Sequence, residues 1–144
     1  MKLQAKKIIL GSDHRGFELK EYIKSLPGLW LDIGAFTAER SDYPLFAHQA
    51  IQQMHQDKIE GAILLCGSGN GMAIAANRFK GVFACVAWKA MIAQKAKEDD
   101  NCNVLVIPAD YVTQQETKEI ISCWLNAEFK GGRYAERLAL IDTF

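Results

Sequence analysis

Residues 61–77 constrain the fold of this chain more than any other stretch of its sequence. Residues 62–65 form an apolar run with charge on one side and glycine on the other, which is typical of a strand buried on both faces of a parallel sheet. Cys66 follows, then a glycine-rich turn, and then good helix formers from Met72 onward. This order puts backbone N–H groups and the positive end of a helix dipole around one thiol. It predicts a site for an anion or for developing negative charge.

The rest of the chain repeats the alternation of strand and helix. The predicted strands are residues 7–12, 30–33, 62–65, 82–87 and 104–107. The predicted helices are residues 16–25, 43–54, 72–77, 90–98 and 113–125. Five such units predict a single-domain α/β fold, a Rossmann-like parallel five-stranded sheet with helices on both faces. Ligands of such sheets bind beyond the carboxyl ends of the strands, where Asp13 and His14 follow the first strand and Cys66 follows the third.

The size and charge of the chain limit the classes of function. Its 144 residues suffice for one domain, and its 17 basic and 17 acidic residues cancel, so we expect neither nucleic-acid nor membrane binding. Residues 1–13 are basic and then briefly apolar, and we interpret them as leading into a strand rather than as a signal peptide. Four widely spaced cysteines suggest reduced thiols, a cytoplasmic location and no metal site. A polar tail, about 127–144, is expected to pack at a subunit interface or to reach over a site.

Cys66 is the candidate reactive residue. A helix N-terminus lowers the pKa of a thiol from its reference value of about 8.5 and so makes thiolate available. The alternative is a small buried apolar residue, since free cysteines are often buried. A thiol-based phosphatase needs arginine where this chain has Met72, which argues against that class. Neither a dinucleotide fingerprint nor a P-loop fits the glycine pattern.

Two further groups of residues are candidates for binding. Asp13 and His14 suit contacts with sugar hydroxyls and phosphate, or else Asp13 caps a helix and His14 lies at the surface. Arg133 and Arg137 are one helical turn apart and so can clamp one anion. The alternative for the arginines is a solvated charged face.

Four motifs in order resemble the ribose-5-phosphate isomerase B family and its relatives, the galactose-6-phosphate isomerase subunits. They are G-S-D-H-x-G-F-x-L-K, E-R-S-D-Y-P, C-G-S-G-x-G-M-x-I-A-A-N-R and G-G-R-x-x-x-R, and the likeness extends from Lys7 to about Leu140. The resemblance implies interconversion of ribose 5-phosphate and ribulose 5-phosphate in the pentose phosphate pathway. It implies an enediolate intermediate, no metal or cofactor, and a site built between the subunits of a homodimer, with pairing into a tetramer left open.

The resemblance also implies roles for individual residues. Cys66 would take the C2 proton and return it to C1 as the base, while Ser68 would move protons between O1 and O2. The binding residues it implies are Gly67, Gly69, Asn70 and Gly71 for the enediolate, Asp13 and Tyr43 for the sugar, and His14, Arg133 and Arg137 for the phosphate.

The chain departs from the family pattern at two places. Asp99 and Asp100 stand where the family usually has a His-Asn pair, whose histidine opens the furanose ring, so Asp99 is the candidate for that role. Asp110 stands where the family usually has a phosphate-binding arginine, and an aspartate there would repel phosphate unless its loop points away. These departures leave two alternatives open: an isomerase of a six-carbon sugar phosphate, of the galactose- or allose-6-phosphate type, and a non-catalytic sugar-phosphate binding protein.

Overall fold

A computed structural model describes residues 6–144 and confirms the predicted parallel sheet. The basic start of the chain, on which the signal-peptide interpretation depends, lies mostly outside these residues. The strands are β1 (Lys7–Ser12), β2 (Leu29–Gly34), β3 (Gly61–Cys66), β4 (Ala84–Val86) and β5 (Val104–Pro108). The helices are α1 (Phe17–Lys24), α2 (Tyr43–Gln56), α3 (Asn70–Ala76), α4 (Ala90–Asp100), α5 (Gln114–Asn126) and α6 (Arg133–Ile141).

The sheet is five-stranded with the order β2-β1-β3-β5-β4, and its paired strands are parallel. β3 lies at the centre, and all six of its residues are buried. Its carboxyl end is flanked by those of β1 and β5, because Leu65 pairs with Ser12 and Cys66 pairs with Pro108. The loops that follow these three strands therefore meet at one edge of the sheet.

Two hydrophobic cores cover the two faces of the sheet, since successive strand residues point to opposite sides. Ile63 and Leu65 of β3 belong to the core packed by α1, α4 and α5. Leu64 and Cys66 belong to the core packed by α2 and α3. The prediction of helices on both faces is confirmed, and Cys66 lies on the α2–α3 side.

α1 buries a lysine that the pattern of apolar residues does not predict. The Lys20 side chain is fully buried, and its Nζ lies 2.8 Å from Asp32 Oδ2 on β2. Lys24 pairs with the same carboxylate oxygen at 2.9 Å. Burial opposes ionisation of Asp32, but the bonds from the two lysines and from the Gly34 amide outweigh it, so the pKa of Asp32 is lowered. The charge on a buried lysine is tolerated here because it is paired.

The structure differs from the predicted elements at β4 and at the tail. The predicted strand 82–87 is only three residues long, because the Phe83 amide donates to the Asn103 side chain at 2.8 Å instead of extending the ladder. The tail forms the helix α6, which packs against α4 and buries none of its residues. Within residues 6–144 we find no helix long and apolar enough to cross a bilayer.

Candidate active site

A cavity of about 230 Å³ lies at the edge where β1, β3 and β5 end. It brings together seven of the residues singled out from the sequence and two others. The lining residues are Asp13, Arg15, Tyr43, Cys66, Gly67, Ser68, Gly71, Asp110 and Tyr111. The topology explains this grouping, because ligand sites of parallel sheets form from the loops at the carboxyl ends of the strands.

Cys66 is the last residue of β3 and is only 5% exposed. Its thiol pKa is raised above its ordinary value, because burial outweighs the hydrogen bonds from the Met72 and Gly69 amides. Asp13 raises the pKa further and Arg15 lowers it. The expectation that the helix start lowers this pKa is therefore wrong for the free chain, since desolvation of a thiolate is the larger effect.

Backbone conformation and close packing explain why glycine occupies three positions after Cys66. Gly69 has a φ of +82°, in the left-handed region that favours glycine. A Cβ at Gly67 would lie 2.8 Å from Arg15 Nε, and one at Gly71 would lie 2.5 Å from Tyr43 Cζ. Arg15 and Tyr43 therefore pack directly on the backbone of this loop.

Ser68 and Asn70 complete the turn between β3 and α3. Both residues are exposed, and the Ser68 hydroxyl accepts a hydrogen bond from the Asn70 amide at 3.3 Å. α3 begins at Asn70, two residues before its run of helix formers. Ser68 lines both the candidate cavity and a neighbouring apolar cavity, whereas Asn70 lines the neighbouring one.

Asp13 fixes the turn before α1 and also lines the cavity. Its Oδ1 accepts hydrogen bonds from the amides of Arg15 at 3.0 Å and Gly16 at 3.2 Å, so it fixes the turn before α1. It is 4% exposed and still lines the cavity. With Oδ1 occupied, Oδ2 is the oxygen available to a ligand.

Tyr43 lines the cavity, whereas His14 lies outside it. Tyr43 is the first residue of α2 and lines the cavity beside Gly71. His14 does not line it: its Nδ1 lies 3.1 Å from the Ser41 carbonyl oxygen, and its amide donates to Ser41 Oγ at 3.0 Å. The histidine thereby ties the turn after β1 to the loop before α2, which leaves Nε2 as its free ring nitrogen.

Asp110 and Arg15 form an ion pair across the mouth of the cavity, between the turns that follow β5 and β1. Asp110 also donates its amide to the Gly67 carbonyl at 3.1 Å. The loop of Asp110 therefore does not point away from the site, and Arg15 balances the charge of its carboxylate. Neither Arg15 nor the exposed Tyr111 was identified from the sequence. The only available signal for Arg15 was its place directly after Asp13 and His14.

Asp99 lies at the end of α4, outside the cavity. Its Oδ1 is 2.9 Å from Lys130 Nζ, and the hydrogen bond from this lysine lowers the pKa of Asp99. An acid that opens a sugar ring has to hold a proton near neutral pH. The contact with Lys130 favours the ionised form of Asp99, which has no proton to donate. Its role in ring opening stays a prediction.

Arg133 and Arg137 also lie outside the cavity, on the exposed face of α6. Each guanidinium carbon is 5.5 Å from the centroid of the Tyr134 ring, and Lys130 Nζ is 5.0 Å from it. Within the part of the chain that the structure describes, neither arginine forms an ion pair. The two arginines thus share one face, as their spacing predicts, and present a cationic cluster to solvent.

The arrangement suits proton transfer on a small polar ligand. A thiol, a carboxylate, a phenol and a hydroxyl surround a volume that the Gly67–Gly71 backbone approaches closely, and all nine lining residues come from loops or element ends. Across residues 6–144 no group of three or more His, Cys, Asp or Glu side chains is placed to hold a metal ion. All four cysteines are free.

The sequence of this chain is similar to those of known sugar-phosphate isomerases. A family model described as Ribose/Galactose Isomerase matches residues 8–141. Ribose-5-phosphate isomerase B of Escherichia coli K12 is 36% identical over 142 residues, covering 96% of this chain and 95% of that protein. The D-erythrulose-4-phosphate isomerase of Pectobacterium atrosepticum is 33% identical over 142 residues, covering 95% of this chain and 93% of that protein.

Solved structures of ribose-5-phosphate isomerases are similar in fold to this chain. A ribose 5-phosphate isomerase from Thermotoga maritima superposes with a TM-score of 0.90 at 34% identity, covering 96% of this chain and 99% of that one. Ribose-5-phosphate isomerase B from Mycoplasma genitalium, with bound ribulose-5-phosphate, superposes with a TM-score of 0.86 at 33% identity. That match covers 96% of this chain and 95% of the other.

Proposed function

Since this chain belongs to the ribose/galactose isomerase family, we propose that it interconverts ribose 5-phosphate and ribulose 5-phosphate as a cofactor-independent enzyme of the cytoplasmic pentose phosphate pathway. The observation that carries the proposal is the position of Cys66, which ends the central strand and lines a cavity with Asp13, Tyr43 and Ser68. A ribulose-5-phosphate complex of a relative of the same fold supports the substrate class.

The proposed reaction moves one proton along the sugar and rearranges the hydroxyl protons. Cys66 as thiolate takes the proton from C2, the electrons form the C1–C2 double bond of an enediolate, and the thiol then returns the proton to C1. Ser68 carries the hydroxyl proton from O2 to O1, so that the aldehyde becomes an alcohol and C2 becomes the ketone. The amides of the loop that follows Cys66 would hold the enediolate oxygen, and each such donor typically lowers a barrier by about 3–4 kcal/mol.

The cavity of one chain lacks the charge needed for a phosphate. Its titratable walls include two carboxylates, Asp13 and Asp110, and one guanidinium, that of Arg15. Arg133 and Arg137 face solvent elsewhere on the surface. We therefore propose a homodimer in which the α6 arginines of each copy complete the cavity of the other, with His14 as a further phosphate contact. Measurement of the mass of the protein in solution tests the dimer and also shows whether dimers pair into a tetramer.

Ring opening is the weakest step of the proposed reaction. Lys130 stabilises the ionised form of Asp99, and a carboxylate in that state accepts a proton but does not donate one. We propose that the enzyme acts mainly on open-chain sugar phosphate. Stopped-flow turnover should be faster with substrate enriched in the open-chain form, and equal rates with ring-closed substrate would contradict this part of the proposal.

The proposal is tested by assaying the wild type, Cys66→Ala and the matched control Cys123→Ala with ribose 5-phosphate. Cys66→Ala should lose turnover and Cys123→Ala should keep it. A wild type that binds the sugar phosphate without turnover, with affinity unchanged in Cys66→Ala, would instead identify a binding protein. Parallel assays with four-carbon and six-carbon sugar phosphates decide the substrate, and the similarity to a D-erythrulose-4-phosphate isomerase makes the four-carbon assay necessary.

A further inference from the structure

Arg15 is the only cationic side chain among the described residues that line the cavity. Its backbone is fixed, because the Arg15 amide donates to Asp13 Oδ1 at 3.0 Å. Its guanidinium is also fixed, by the ion pair with Asp110. Arg15 is thus held at both ends, whereas the side chains of Arg133 and Arg137 contact the ring of Tyr134 on their own helix.

The guanidinium lies directly on the loop after Cys66. A Cβ placed on Gly67 would be 2.8 Å from Arg15 Nε and 2.9 Å from Arg15 Cζ. This contact puts the positive charge beside the loop that the proposed reaction uses. The Arg15 side chain is 58% exposed, so part of the guanidinium stays open to a ligand.

Arg15 keeps donors for a second partner. A guanidinium has five N–H groups in a planar fork, and the ion pair with Asp110 engages Nη2. The remaining donors are arranged as carboxylate and phosphate oxygens require. Asp110 is two-thirds buried and accepts through Oδ2. It therefore orients the Arg15 guanidinium while leaving other N–H donors of that group free for a ligand.

We propose that Arg15 binds the phosphate group of the substrate from within its own chain, with Asp110 as the positioning residue. This assignment rests on the proposed function for the identity of the anion. It makes the phosphate site composite, since Arg15 comes from the chain that supplies Cys66 and the α6 arginines come from a second copy.

The test is a calorimetric titration of the full-length protein with inorganic phosphate. Arg15→Gln should raise the Kd for phosphate about tenfold to a hundredfold, because charge-assisted hydrogen bonds are lost. The single variant also leaves Asp110 unpaired, and this carboxylate would repel phosphate by itself. The decisive variant is therefore Arg15→Gln/Asp110→Asn, which removes both charges and should still bind phosphate weakly.

Arg78→Gln is the matched control, because Arg78 is exposed and lies outside this cavity; its Kd should equal that of the wild type. Wild-type affinity in the double variant, or in Arg15→Gln, would overturn the assignment. In isomerase assays KM should rise in Arg15→Gln much more than kcat falls. Absence of turnover in the wild type would contradict the proposed function, whereas the phosphate titration would still decide whether Arg15 binds the anion.

Discussion

Two glycines with the same backbone conformation allow strain and packing at the site to be separated. Gly69 has a φ of +82° and Gly81 a φ of +81°. A Cβ at Gly69 would lie 3.0 Å from Val86 Cγ1 and 3.3 Å from Val106 Cγ1, whereas one at Gly81 would meet no atom within 4 Å. Replacing each glycine by alanine therefore imposes similar strain but different crowding.

The expected magnitudes follow from this difference. A left-handed conformation costs a non-glycine residue roughly 1–2 kcal/mol, so both variants should lose about that much free energy of unfolding. Overpacking against well-packed side chains adds typically about 1–3 kcal/mol, which should appear only in Gly69→Ala. The Gly69 amide also contacts the Cys66 sulfur, and a shift of about 1 Å near reacting groups can cost on the order of 100-fold in rate.

Urea denaturation and kcat/KM with ribose 5-phosphate measure both effects. Gly81→Ala should be moderately destabilised with wild-type turnover per folded molecule. Gly69→Ala should be destabilised further and should lose at least about tenfold in kcat/KM. Equal unfolding free energies for the two variants, or full activity in Gly69→Ala, would refute the argument that packing around the thiol requires this glycine.

Three further predictions concern the thiol, the buried lysine and the packing of α1. Because burial raises the pKa of Cys66 above its ordinary value and the proposed reaction needs the thiolate, kcat/KM should still increase with pH beyond about 8.5; a plateau below pH 8 would contradict this. Asp32→Ala should cost roughly 3–5 kcal/mol, because it leaves the buried Lys20 with only the longer 3.6 Å contact to Glu21, and a change below 1 kcal/mol in urea melts would argue against the pair. The lowered pKa of Asp32 means that its contribution is present above its unfolded pKa and is lost as the pH falls through the folded value, below about pH 4. Gly16→Ala would bring a Cβ to 2.6 Å from Leu65 Cβ and 2.8 Å from the Leu65 carbonyl oxygen, and should lower the unfolding free energy by about 1–3 kcal/mol; an unchanged melting curve would show that α1 moves freely.

The sheet was predictable because its signals are local. The six buried residues of β3 form one continuous apolar run, and the capping box of Thr113 and Glu116 marks the start of α5 within four residues. The glycine-rich turn after Cys66 was predictable for the same reason. The short β4 was not, because the side chain of Asn103, far along the sequence, takes the amide that would have extended the strand.

The electrostatics of the site depend on contacts that the sequence does not reveal. Arg15 and Asp110 are 95 positions apart, and only the neighbouring ends of β1, β3 and β5 bring them together. The thiol pKa was predicted in the wrong direction because the helix start is visible in the sequence, whereas the burial of Cys66 at the edge of the α2–α3 core is not. The spacing of Arg133 and Arg137 predicts that they share one face of α6, but their distance from the cavity follows from the fold.

The central claim is that the Cys66 sulfur carries a proton between two carbons of the sugar. It is tested most directly by running the isomerisation in D₂O and following the product by proton NMR. We expect the wild type to incorporate solvent deuterium at C1 of the ketose, because the thiol exchanges its proton, and Cys66→Ala to show neither incorporation nor turnover. Turnover by Cys66→Ala with deuterium at C1 would assign the proton transfer to a group other than Cys66.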